Sequence, residues 1–202
     1  MYPVQFTAQW VERHSRLSTF FRFLLAIPAE IVAFFYLLAA SFAVFFAWFA
    51  MVFTGRYPEG LYNFACGALR NITRVNGYLY YLTDQYPPFN GKPDDTYPVA
   101  LTFAPPLEQY SRAKAFFRVI LYIPVLFMTY VYSIMLSFVV FAAWVVIIIT
   151  GKLPKGLQDI IELGVRYTIR GHAYYWLITE TYPPLSDPAT ETPSYPPPAP
   201  VV

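Results

Sequence analysis

Two stretches of the chain, 23–53 and 119–149, are almost wholly apolar, and each is preceded by arginines and closed by a glycine. A helix over 29–53 would be about 37 Å long, enough to cross a hydrocarbon core of roughly 30 Å with some tilt. Pro28 and Pro124 lie near the start of each run and are expected to kink the helix or mark its effective beginning. Gly55 and Gly151 read as helix stops, and Pro58 and Pro154 as starts of a second helix over 58–83 and 154–179. In that second helix Leu61, Phe64, Ala65, Ala68, Leu69, Ile72, Val75, Leu79 and Leu82 recur at steps of three and four, which marks one helical face. The other face carries Asn63, Cys66, Arg70 and Arg74 in the first half of the chain. In the second half it carries Asp159, Glu162, Arg166 and Arg170. Glu162 stands four residues before Arg166, a favourable helical pair. Short alternating stretches, 2–10 and 98–103, read as extended.

The two halves align without a gap at an offset of 96 residues. Arg16 falls on Arg112, Phe20-Phe21-Arg22 on Phe116-Phe117-Arg118, and Ile27-Pro28 on Ile123-Pro124. Trp48 falls on Trp144, Thr54-Gly55 on Thr150-Gly151, and Arg70 and Arg74 on Arg166 and Arg170. Tyr86-Pro87-Pro88 falls on Tyr182-Pro183-Pro184. The chain is therefore a duplication. Its expected organisation is a membrane repeat over 1–90, a linker over 91–97, a second repeat over 98–185 and a proline-rich, unpacked tail over 186–202. The expected class is an all-α integral membrane protein with four main helices.

Composition supports the membrane as solvent. Hydrophobic residues make up 57% and charged residues 13%, about half the charge of an ordinary soluble domain. A net charge of +2 with scattered cations offers no nucleic-acid surface. The single cysteine, Cys66, cannot form an intrachain disulfide and reads as a small core residue. The first apolar run is longer than a signal-peptide core and is expected to remain in the mature protein.

Topology turns on the second helix. If it lies in the interface, the copies are inverted and the cations divide evenly between the two sides, giving no orientation. If it returns across the bilayer, the copies are parallel and the termini side is the more basic, hence cytoplasmic. The parallel hairpin, a multi-pass chain, is the favoured expectation. Its difficulty is the cost of arginines within a span, roughly 2.5–3.5 kcal/mol each at the centre.

The motif set Arg16-x5-Arg22, Ile27-Pro28, Trp48, Thr54-Gly55-Arg56-Tyr57-Pro58-x-Gly60-Leu61, Thr83-Asp84 and Tyr86-Pro87-Pro88-Phe89 resembles the bacterial domain-of-unknown-function 4389 family. The second copy departs from it at Lys152-Leu153 and Leu185. The resemblance implies a bacterial cell-membrane protein and brings no activity.

No catalytic, metal or cofactor constellation is legible. His14 and His172 have no ligand partner at useful spacing, and there is no phosphate loop or nucleophile elbow. Glu30, near the start of the first span, reads as an interfacial carboxylate at a helix start. The candidate binding residues are the repeated arginines Arg22, Arg118, Arg70, Arg74, Arg166 and Arg170, placed to meet anionic lipid headgroups or a partner's carboxylates. Small residues at Ala39, Ala43, Ala47, Ser133 and Ser137 offer close-packing strips to another helix. The expected role is that of a structural or accessory subunit, or a homo-oligomer associating through its membrane helices. The alternative is a lipid- or solute-handling protein that uses the arginine stripe.

Overall fold

A computed structural model describes residues 2–94 and 96–184. The proline-rich tail expected at 186–202 lies outside them. The element order is β1 (Val4–Ala8), α1 (Arg16–Thr54), α2 (Glu59–Leu79), β2 (Val99–Phe103), α3 (Arg112–Phe116), α4 (Arg118–Thr150) and α5 (Lys155–Tyr175). The protein is thus mostly helical, in two tandem halves, each with a long apolar helix followed by a second helix. The extended stretches add a two-stranded ribbon to the helices.

Local chemistry sets the helix ends. Ser15 caps α1 and Ser111 caps the short α3, their side chains accepting from the backbone N–H of Ser18 and Lys114. Gly55 and Gly151 stop them at φ 74, a left-handed conformation that glycine adopts without steric penalty. The first long helix runs unbroken through Pro28. In the second half the helix breaks instead at Phe117, between α3 and α4, and Pro124 lies within α4.

The second helices end earlier than their hydrophobic period suggests. Tyr81 and Leu177 take left-handed φ values of 62 and 65, and the Leu82 and Ile178 N–H groups fold back onto the Gly77 and Ala173 carbonyls. That is the glycine-type stop made with bulky residues, a conformation costing roughly 1–2 kcal/mol in a residue with a Cβ.

The favoured parallel arrangement of the copies is not the one adopted. His14 N–H donates to the Gly151 carbonyl (3.0 Å), and its counterpart Tyr110 N–H donates to the Gly55 carbonyl (2.7 Å). Each long helix therefore begins where the other ends, and α1 and α4 run antiparallel. The strands obey the same two-fold relation: β1 pairs antiparallel with β2, Val4 opposite Phe103 and Thr7 opposite Ala100. The two equivalent strands satisfy each other's backbone groups in this way, and their antiparallel pairing goes with inversion of the units they lead.

Three layers result. In each half α1 or α4 packs on its own second helix, and the ribbon rests on α2 and α5 while touching neither α1 nor α4. Small residues allow the close packing of α1: Ala26, Ala29, Ala33, Ala40, Ala43 and Ala47 are all buried, whereas Ala39 is exposed. Much of the polar face of α2 is covered as well. Arg74 and Cys66 are buried, and beyond Phe64 no residue of α2 is exposed.

Candidate functional site

The six candidate arginines separate into two kinds of site. Arg22 and Arg118 lie at opposite ends of the molecule, each at the start of a long helix. Arg70, Arg74, Arg166 and Arg170 lie along the middle layer.

Arg22 is 1% exposed. Its guanidinium donates to the carbonyls of Tyr78 (2.9 Å) and Thr83 (3.2 Å) and forms an ion pair with Asp84. The rings of Tyr78 and Tyr81 face it at 4.7 and 4.9 Å. Asp84 is further held by the His14 ring (2.6 Å) and the Ser15 N–H (2.9 Å). Burial works to raise the Asp84 pKa, but these hydrogen bonds and the Arg22 charge together outweigh it and bring it down to about 2. The node ties the start of α1 to the end of α2 and holds the left-handed turn at Tyr81.

Arg118 occupies the matching position and is equally buried at 2%. Here Glu180 replaces Asp84. Its carboxylate accepts from Ser111 N–H (2.6 Å) and approaches Lys114 at 4.0 Å. The three Arg118 guanidinium nitrogens find no hydrogen-bond acceptor among the described residues, and the group lies over the Tyr174 ring at 4.0 Å. One extra methylene and the change of His14 to Tyr110 thus leave the second node open.

The stripe on the second helices is engaged with the ribbon and with segment 84–94. Arg70 donates to the carbonyls of Leu101 (3.1 Å) and Gly91 (2.7 Å) and lies over the Phe103 ring at 5.3 Å. Arg74 donates to Asn90 (3.4 Å) and faces the Tyr97 ring. Arg166 pairs with Glu162 at 3.7 Å, as the spacing predicts, and Arg170 lies over the Tyr2 ring at 5.0 Å. Gly67 and Gly91 meet backbone to backbone, so any side chain at Gly91 would strike the Gly67 carbonyl. Arg70, Arg74 and Arg170 hold segments outside the second helices onto the middle layer.

Sequence reasoning missed the carboxylates and the histidine that complete the nodes. His14 is no metal ligand candidate by spacing, yet its partner Asp84 lies 70 residues away. The usable signal was an arginine and a carboxylate each retained at matched positions, 22 with 84 and 118 with 180. Cys66 is buried near Tyr62, and burial pushes its thiol up to about 12, against the pull of Tyr62 and Arg70. Glu30 is exposed and borders a small cleft of about 160 Å³ with Ile72 and Asn76. A larger cleft of about 320 Å³ opens between the halves, lined in part by Thr73, Asn76, Ser133, Ser137 and Thr168. Among the described residues no three of His, Cys, Asp and Glu come together as a metal site would need.

These features define a tandem helical-hairpin protein with two helices long and apolar enough to cross a membrane. The family model for DUF4389, a domain of unknown function, matches residues 16–90 and 112–186, and the chain belongs to that family as a tandem member. No curated protein and no solved structure matches the chain.

Proposed function

We propose that the protein is a non-enzymatic, membrane-embedded component of the bacterial cytoplasmic membrane. It serves as an accessory subunit of a larger complex or as a homo-oligomeric scaffold. The observation that carries this reading is the contrast between its surfaces. In the most apolar windows of α1 and α4 only 22% and 17% is buried, whereas the core helix of a soluble protein would be mostly covered. The charged residues of the interior are spent on internal contacts, as Arg22, Arg70 and Arg74 show. What remains for the outside is a surface suited to acyl chains, to headgroup phosphates at the helix ends, and to another membrane helix.

The test is extraction and native purification. The protein is expected to stay with membranes through an alkaline carbonate wash and to emerge from mild detergent with a partner or as an oligomer. Release by carbonate would remove the membrane reading, and a clean monomer would remove the scaffold reading. The lipid-handling alternative finds less support, because a lipid entering the arginine stripe would first have to displace the ribbon.

A further inference from the structure

We infer that α1 and α4 lie along the membrane, sunk side by side into one leaflet, with the ribbon turned to the water on that same side. This rests on the membrane reading above and adds the orientation of the chain within the bilayer. The occupant of the apolar face is the acyl-chain layer of a single leaflet.

The layer order comes first. The ribbon and the apolar helices lie on opposite sides of α2 and α5. Leu24, Phe35 and Phe46 on α1, and Phe127, Phe138 and Ile149 on α4, are each 60–73% exposed. On the opposite side Thr7, Thr102, Lys92 and Thr96 are exposed, together with one large apolar residue, Phe89. One broad side of the molecule is therefore oily and the other mainly polar.

The height of the polar layer along the helices decides between lying and crossing. α2 runs antiparallel to α1, with Arg22 bonded at Tyr78 and Tyr36 stacked on Phe64. Gly67 lies between these contacts, and Gly91 sits directly against it. Lys92 and its neighbours therefore stand level with the middle of α1. A bilayer crossed by α1 and centred on its apolar run would place this irregular segment, and the ribbon beside it, in hydrocarbon. Lipid-facing loops and open strand edges do not occur at that depth, because no water is there to meet the backbone N–H and C=O groups. A bilayer parallel to α1 and α4 meets only apolar side chains.

Length and charge agree. The run 23–53 would span about 46 Å as a helix, against a core of roughly 30 Å, and a helix lying in the interface has no such limit. Exposed cations stand at both ends: Arg13, Arg16, Lys152 and Lys155 at one, Arg56, Arg112 and Lys114 at the other. In a crossing protein this balance gives no orientation. In a lying protein both groups reach the phosphates of the same headgroup layer.

The experiment uses the full chain with Cys66→Ala and single cysteines at Leu24, Phe35, Phe46, Phe127, Phe138, Ile149 and Thr102. The proteins are spin-labelled in vesicles of phosphatidylcholine and phosphatidylglycerol, and depth is read from collisions with oxygen and a water-soluble nickel chelate. Leu24, Phe35 and Phe46 share a helical face and span about 33 Å. The expected result is one common depth for all six helix labels, within about a third of a leaflet, with Thr102 open to the nickel chelate. A profile in which Phe35 is deep while Leu24 and Phe46 approach opposite surfaces overturns the inference. So does a Thr102 label shielded from the chelate, the sign of crossing helices whose ribbons face one another inside an oligomer. Labels in water throughout would instead remove the membrane reading itself. A second measurement needs no reconstitution: Arg13→Cys and Arg56→Cys in cells are expected to react with an impermeant maleimide from the same side, and reaction from opposite sides overturns the inference.

Discussion

The two ends of the molecule carry the same buried arginine in two different states. At one end Arg22 meets two backbone carbonyls and Asp84, which His14 also holds. At the other Arg118 rests on an aromatic ring while Glu180 turns to Ser111 and Lys114. The duplication repeats the elements around each arginine with one local difference: α1 runs unbroken through Arg22, whereas the helix breaks at Phe117, next to Arg118. A shorter carboxylate, with a histidine to steady it, closes the node; a longer one reaches past the arginine and leaves it open. Burying a charge without a partner is costly, whereas a partnered one is costly only to break.

The largest expected effect follows directly. Arg22→Met strips Asp84 of its buried partner and is expected to destabilise the protein by about 3–5 kcal/mol, read by denaturant or thermal unfolding in detergent. Arg118→Met removes a charge with no acceptor in place and is expected to be neutral or mildly stabilising. Equal losses at the two sites would abolish the distinction. Next in size, Asp84→Asn is expected to lose about 2 kcal/mol, within the range of hydrogen bonds to charged groups. Glu180→Gln, which loosens an ion pair with an exposed lysine, is expected to lose no more than about 1 kcal/mol.

A smaller effect separates the ends by pH. Asp84 has a lowered pKa in the folded protein, about 2, against an unfolded value near 3.9. Its contribution is present above pH 4 and is lost as the pH falls through the folded value. Allowing for its partial exposure, this amounts to at most about 2 kcal/mol between pH 4 and pH 2. The slope in that window should disappear in Asp84→Asn and persist in Glu180→Gln. A slope that survives Asp84→Asn assigns the acid sensitivity elsewhere.

Much of the fold is legible in the order of residues because it rests on local rules. The apolar runs, the Gly55 and Gly151 stops and the extended stretches at 2–10 and 98–103 all appear where period and composition place them. The stops at Tyr81 and Leu177 were not legible, since no glycine announces them; Arg22 at Tyr78 and Thr83 holds the first in place. The inversion of the copies was not legible either, because charge counting presumes a crossing and is silent about which strands pair. The arginine stripe was visible as a pattern, but its cover was not. Leu101 and Gly91 meet Arg70 from 31 and 21 residues away, and no helical period encodes such contacts.

The ribbon has a consequence for ancestry. Each strand covers the second helix of the other half, β1 over α5 and β2 over α2. A chain with one copy of the unit could obtain that cover only from a second molecule, so the fold has the form of a homodimer whose subunits have been joined head to tail. Once joined, the two copies were free to diverge under one constraint. A change in either strand is therefore felt by the opposite half.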